Sequence, residues 1–154
     1  NYLRFFNALF TLIIGYNIKW NIIIFVSFVR YRKGLDVLRL GEIKDKKIRE
    51  LLNRIQEELY KLFGDKLKDT ILYGSYARLE NTQESDIDII VLVDEKESNL
   101  RQYEDSITDI MVDLSLEYEL VVSIISESYE TYKEYSDVLP FFNNVKKEGV
   151  SING

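Results

Sequence analysis

Two pairs of residues carry the chemistry that this sequence could perform. Gly74 and Ser75 end the apolar run TILY, and after ten further residues Asp86 and Asp88 stand at the start of DIDIIVLVD. Gly74 has no Cβ, so the backbone could approach phosphate oxygens closely there, and Ser75 adds a hydroxyl donor. Asp86 and Asp88 alternate around one residue, so on a strand both carboxylates project from the same face. The pattern predicts a site for a nucleoside triphosphate with magnesium.

The two carboxylates are the predicted metal-binding and catalytic residues. Side chains two residues apart on a strand are separated by about 7 Å, and two unneutralised carboxylates at that distance repel each other. Divalent cations between them remove that repulsion, and Mg²⁺, with two ions expected, would bind the triphosphate and activate an attacking oxygen. The alternatives are that Asp86 and Asp88 face solvent at the entrance of the strand, and that Gly74 and Ser75 only cap a helix.

Three further side chains near this pattern have two interpretations each. Arg78 follows Ser75 by about one helical turn and is predicted to bind phosphate oxygens. Its alternative is a solvent-facing position or an ion pair with Glu80. Tyr73 and Tyr76 could stack on a base, but packing within the protein is the better interpretation for both.

Composition removes most other catalytic schemes. The chain has 154 residues, 46% of them hydrophobic, and contains no Cys and no His. Disulfides and thiol nucleophiles are therefore excluded, and so are the commonest general base and the commonest transition-metal ligand. Oxygen ligands and a hard cation such as Mg²⁺ remain. The absence of Cys fits a reducing compartment, and we expect a cytoplasmic protein.

Charge is distributed unevenly along the chain. Residues 1–41 carry six Lys or Arg and one Asp, whereas residues 42–154 carry 14 basic and 25 acidic side chains. The excess of acidic side chains in residues 42–154 repels nucleic-acid phosphates, so a general DNA or RNA binder is disfavoured. A basic protein partner or a metal–nucleotide complex is easier to accommodate.

The apolar tract 5–29 (FFNALFTLIIGYNIKWNIIIFVSFV) has three interpretations. It is long enough to cross a bilayer as an anchor, and the basic residues at 31–33 would suit a cytoplasmic flank. It could instead form a buried helix or strand pair. The interpretation we favour is that it is not native coding sequence, because its composition is typical of AT-rich codons. We therefore divide the chain into residues 1–40, outside the functional argument, and a domain of residues 41–154.

Periodicity predicts a small α/β (α+β) domain with a mixed sheet of three to four strands flanked by helices. The predicted order is a helix over 42–63, a strand over 70–74, a helical turn over 75–79, a loop over 80–85, a strand over 86–93, a helix over about 100–118, a strand over 120–126 and helices over 128–136 and 141–149.

The segment GSYARLENTQESDIDIIVLVD resembles the motif region of the DNA polymerase β-type nucleotidyltransferases, and its spacing resembles the minimal nucleotidyltransferase (MNT) subfamily. The resemblance covers about residues 43–152 and implies a polymerase β-like fold. It implies transfer of a nucleoside monophosphate from ATP or another NTP with release of pyrophosphate. Gly74 and Ser75 match the phosphate-binding pair, and Asp86 and Asp88 match the metal-binding pair. In the antitoxin branch the acceptor is a tyrosine hydroxyl of a HEPN-domain toxin.

The sequence departs from that family at one position. Many members carry a third metal-binding carboxylate on the later strand, but here this strand reads LVVSIIS, with Ser123 near its middle and Glu119 and Glu127 flanking it. The general base is therefore unassigned. This departure supports an alternative, a nucleotidyltransferase-fold module that neutralises a partner by occlusion without chemistry. A nucleotidyltransferase acting on a small molecule such as an aminoglycoside is a weaker third possibility.

Overall fold

The computed structural model describes residues 40–153, and its first long helix, α1, is Lys46–Phe63. A stripe of apolar side chains along α1 is fully or almost fully buried. The Asp45 carboxylate accepts a hydrogen bond of 2.8 Å from the Lys47 amide and caps the N-terminus. Gly64 ends the helix with φ +53°. The predicted start at 42 was too early, because residues 40–42 are a separate helical turn and residues 43–45 interrupt the helix.

The remaining elements follow in the predicted order, with additions. They are a 3₁₀ turn Gly64–Lys66, β1 Leu67–Tyr73, α2 Gly74–Ala77, β2 Ile87–Val93, α3 Glu97–Leu100, a 3₁₀ turn Arg101–Tyr103, α4 Glu104–Tyr118, β3 Val122–Ser128, α5 Tyr129–Tyr135, α6 Pro140–Glu148 and β4 Val150–Ser151.

The four strands form one mixed sheet in the order β3-β2-β1-β4. β1 pairs antiparallel with β2, and Tyr73 lies opposite Asp88. β2 pairs parallel with β3, and Asp88 lies beside Ser123. β4 adds two residues to the free edge of β1. The prediction of a mixed sheet of three to four strands is confirmed; β2 is a central strand, and the fourth strand is the short β4.

Helices cover both faces of the sheet. On one face, Ile89 and Val91 of β2 pack with the apolar sides of α1 and α4. On the other face, Ile90 and Leu92 pack with residues of α5 and α6. Asp88 alternates along β2 with Ile89 and Val91, so its side chain is on the same face as Ile90 and Leu92, the face that α5 and α6 cover. The candidate site therefore lies at one end of this second face.

Two boundaries differ from the prediction in ways that affect the site. Strand β3 ends at Ser128 instead of residue 126, so Glu127 lies inside the strand and does not flank it. Helix α4 begins at Glu104, since two short turns occupy residues 97–103. Among residues 40–153, the structure has no helix with the length and apolar character to cross a membrane. The tract 5–29 and its three interpretations lie outside the described residues.

Candidate active site

Gly74 and Asp88 are in direct contact at the junction of β1 and α2. Gly74 follows the last residue of β1 and has φ +74°, a conformation that side-chain-bearing residues rarely adopt. A Cβ on Gly74 would lie 2.5 Å from Asp88 Oδ2 and 3.3 Å from its Cγ. The missing side chain thus makes room for the Asp88 carboxylate. The sequence indicated that glycine leaves space for a phosphate, whereas in the structure this space adjoins the predicted metal ligand.

The two aspartates differ in their surroundings. Asp86 is exposed just before β2, whereas Asp88 is half-buried within the strand. Burial raises the pKa of the Asp88 carboxyl above its usual value, and the negative charge of Asp86 raises it further. No ion pair within residues 40–153 involves either aspartate. The pair is therefore a concentration of negative charge that the described protein does not neutralise.

The other two predicted phosphate-binding residues lie on α2 or at its end. Ser75 is half-buried, and its carbonyl oxygen accepts a hydrogen bond of 2.9 Å from the Glu80 amide. Arg78 follows the last residue of α2, where its Nε donates to Glu80 Oε2 at 2.8 Å and its Nη1 lies 3.4 Å from Glu148 Oε2. The structure thus shows the Glu80 pairing that the sequence left open for Arg78. Phosphate binding by Ser75 and Arg78 stays a prediction.

The strand register shows what stands beside the aspartate pair on β3. Ser123 is the direct neighbour of Asp88, whereas Glu127 is beside Leu92, four residues further along. Four residues of strand correspond to about 13 Å, too far for Glu127 to share a metal ion with Asp88. Glu119 is exposed in the turn before β3. Within residues 40–153, no cluster of three or more acidic, His or Cys side chains is placed to hold a metal ion.

Both tyrosines of the motif region pack within the protein, as the sequence favoured. Tyr76 is buried in the same core cluster as the apolar side chains of α1. Tyr73 is half-buried, and its ring meets Phe141 edge-on, with 5.4 Å between centroids and 84° between planes. Burial raises the pKa of the Tyr73 phenol, and the charge of Asp88 adds to that effect. Phe141 was not among the residues predicted from the sequence. The signal was present in the sequence PFF, at the start of a helix otherwise rich in polar residues.

The donors at this end of the sheet fit a hard divalent cation. They are carboxylate oxygens, which Mg²⁺ prefers, and the described residues include no basic group that competes for them. The raised pKa of Asp88 reflects a cost of ionisation that a bound cation would remove. Asp86 and Asp88 are thus the described residues that could hold a divalent cation.

The fold and the motif are those expected of a nucleotidyltransferase, and comparison with known proteins identifies the same class. Residues 53–137 match the family described as Polymerase beta, Nucleotidyltransferase. That match spans more than half of the chain and includes the glycine–serine turn and both aspartates. The chain belongs to the polymerase β-type nucleotidyltransferase family, and its enzymatic class is nucleotidyltransferase.

Two relatives come from Methanocaldococcus jannaschii. Putative protein adenylyltransferase MJ0604 is 33% identical over 106 residues, which are 69% of this chain and 94% of that protein. Putative protein adenylyltransferase MJ0141 is 31% identical over 103 residues, which are 67% of this chain and 96% of that protein. A crystal structure of a toxin-antitoxin with AMP-PNP is 20% identical, over 65% of this chain and 70% of that chain, with a TM-score of 0.43.

Proposed function

We propose that this protein is a Mg²⁺-dependent nucleotidyltransferase that transfers a nucleoside monophosphate, AMP from ATP, to a hydroxyl group of another protein. The observation that carries the proposal is the contact between Gly74 and the Asp88 carboxylate, with Asp86 near enough for its charge to raise the pKa of Asp88. The two archaeal relatives support the adenylyl group and the protein acceptor, because both are named for protein adenylylation and this chain spans nearly their whole length.

Each residue of the site has a distinct task in this reaction. Asp86 and Asp88 would hold Mg²⁺, two ions by the family resemblance, which supplies positive charge to the triphosphate and activates the attacking oxygen. Gly74 sets the position of the Asp88 carboxylate, and Ser75 donates its hydroxyl to a phosphate oxygen. The acceptor oxygen bonds to the α-phosphorus while the bond from that phosphorus to the bridging oxygen breaks, and pyrophosphate leaves. Ser123 offers no carboxylate, so the hydroxyl proton passes to one of the two aspartates or to solvent.

A protein acceptor fits the charge of this domain. Residues 42–154 carry 25 acidic and 14 basic side chains, which disfavours a nucleic-acid acceptor and favours a basic protein partner. The resemblance to the MNT subfamily implies a HEPN-domain toxin as this partner, with a tyrosine hydroxyl as acceptor. We therefore propose that residues 41–154 act as a cytoplasmic antitoxin domain.

The proposal is tested by label transfer. The purified chain is incubated with α-labelled ATP, with Mg²⁺ or with a chelator, and with the HEPN-type protein encoded beside its gene. We expect label on that protein only with Mg²⁺, and none with the Asp86→Asn/Asp88→Asn variant. The matched control is Asp105→Asn/Asp109→Asn, which removes the same charge from exposed positions on α4. If label transfer persists in the Asp86→Asn/Asp88→Asn variant, the proposed site is wrong.

A second candidate function is neutralisation of the partner by binding alone. The observation that favours it is the position of Ser123, which stands beside Asp88 where many family members carry an acid. Growth of cells that produce the toxin separates the two functions. Cells with the Asp86→Asn/Asp88→Asn variant will stop growing if transfer protects them, and will grow normally if occlusion does.

A further inference from the structure

One exposed aromatic ring near the candidate site is held rigidly. Phe141, at the second position of α6, has 41% of its surface exposed. Its ring packs edge-on against Tyr73 and meets Phe142 at 5.7 Å and 49°. Phe142 is buried and in turn packs against Tyr132 at 5.4 Å. The Phe141 ring is therefore fixed by neighbours on two sides and presents a preorganised apolar surface.

The ring is one side chain away from the predicted metal ligand. Tyr73 lies directly opposite Asp88 on the neighbouring antiparallel strand, and such pairs have Cβ atoms about 4.5–5.5 Å apart. Phe141 contacts Tyr73 on that same face of the sheet, at the end where Gly74 begins α2. A nucleotide whose phosphates lie beside Gly74, Ser75 and the aspartates must place its base within a nucleoside's length of this point.

Other apolar side chains are exposed in the turn between α5 and α6, including Val138 and Leu139. A patch of this kind could instead contact a protein. Phe141 differs from Val138 and Leu139 because it is aromatic and has a ring contact with Tyr73, the cross-strand neighbour of Asp88. Its rigidity and its ring face are the properties that stacking on a flat base requires.

We propose that Phe141 stacks on the base of the bound nucleoside triphosphate. This inference rests on the proposed function, because it needs the triphosphate to occupy the site of Gly74, Asp86 and Asp88. Stacking uses the face of the base and does not read its hydrogen-bonding edges. The larger ring area of a purine gains more from stacking, so Phe141 favours ATP and GTP over CTP and UTP.

The test compares two ligands that share a triphosphate and differ in the base. Binding of ATP and of inorganic tripolyphosphate, each with Mg²⁺, is measured by calorimetry for the full chain and its variants. Loss of a base–aromatic stack corresponds to roughly a 5- to 150-fold change in affinity. Phe141→Leu keeps an apolar side chain without a ring, and we expect it to weaken ATP binding by that factor and to leave tripolyphosphate binding unchanged. Phe141→Trp is expected to retain ATP affinity.

Leu139→Ala is the matched control, because Leu139 is 44% exposed two residues away and has no ring. It should leave both affinities unchanged, and urea unfolding of each variant establishes that it is folded. Unchanged ATP affinity in Phe141→Leu overturns the inference. An equal loss of affinity for ATP and for tripolyphosphate also overturns it, because the ring would then stabilise the phosphate site and not contact the base. Reduced label transfer to the partner protein with unchanged ATP binding would assign the ring to protein docking. If the unaltered chain binds neither ligand, the proposed function fails together with the inference.

Discussion

Replacement of Gly74 by alanine tests the arrangement on which the active site depends. Alanine at φ +74° costs about 1–2 kcal/mol, because its Cβ crowds the backbone in left-handed conformations. The new Cβ would also lie 2.5 Å from Asp88 Oδ2, and ordinary contacts begin at 3.4 Å. The carboxylate must therefore move by about 0.9 Å, which forces the side chain off its rotamer at about 0.5–1.5 kcal/mol. We expect Gly74→Ala to lower the free energy of unfolding by about 1.5–3.5 kcal/mol.

The same displacement should affect activity more than stability. A shift of about 1 Å in a group that positions reacting atoms can cost about 100-fold in rate. Label transfer from ATP by Gly74→Ala should therefore fall by about that factor. Gly64→Ala is the control, because Gly64 also has positive φ (+53°) but no atom within 4 Å of the added Cβ. It should lose about 1–3 kcal/mol of stability from backbone strain and keep its transfer activity.

A double-mutant cycle separates the steric effect from the backbone strain. In an Asp88→Ala background the added Cβ meets no carboxylate, so Gly74→Ala should cost less there by about 0.5–1.5 kcal/mol. Urea unfolding of the four proteins without metal measures this coupling independently of activity. Additive effects, or a Gly74→Ala variant with activity near that of the unaltered chain, would refute the proposed role of Gly74.

Three further predictions concern charge and packing. The pKa of Glu95 is lowered from its usual value of 4.5 to about 2, chiefly by a hydrogen bond of 2.6 Å from Lys66, so its carboxylate stabilises the fold fully above that usual value and loses this effect as the pH falls through 2. Urea unfolding should show Glu95→Gln less stable than the unaltered chain at pH 7, with a smaller difference at pH 2. Ser123→Asp adds a third carboxylate beside the aspartate pair, and its repulsion should lower the melting temperature without metal. Added Mg²⁺ should raise the melting temperature of this variant by more than that of the unaltered chain. Leu59→Ala should cost about 2–5 kcal/mol by urea unfolding, because Leu59 is fully buried, whereas Leu116→Ala on the exposed side of α4 should change stability by less than about 0.5 kcal/mol.

The sequence predicted the strands that carry the site because their signals are local. The apolar run 87–93 and the turn at Gly74 are read from adjacent residues, and the structure has both. The contact between Gly74 and Asp88 is a consequence of the register of β1 on β2, which periodicity does not specify. Strand β4, of two residues, is too short to give a periodic signal.

Contacts between side chains that are distant along the chain could not be predicted from the sequence. Phe141 is separated from Tyr73 by 67 intervening residues, and only the packing of α6 on β1 brings the two rings together. Glu127 was placed outside its strand, because polar residues at a strand end resemble the start of a loop. The Glu148 contact of Arg78 likewise links the motif region to the end of α6.

The two pairings of Asp88 differ in how much chain they must close. Its partner on β1, Tyr73, is 15 residues away, whereas its partner on β3, Ser123, is 35 residues away and is reached through a crossover that includes α4. Closing the longer loop costs about 0.8 kcal/mol more, and contacts between distant residues form late in folding. The hairpin of β1 and β2 can therefore bring Asp88 against Gly74 before β3 joins the sheet. In a chain that is still emerging from the ribosome, the contact between Gly74 and Asp88 would form before the sheet is complete.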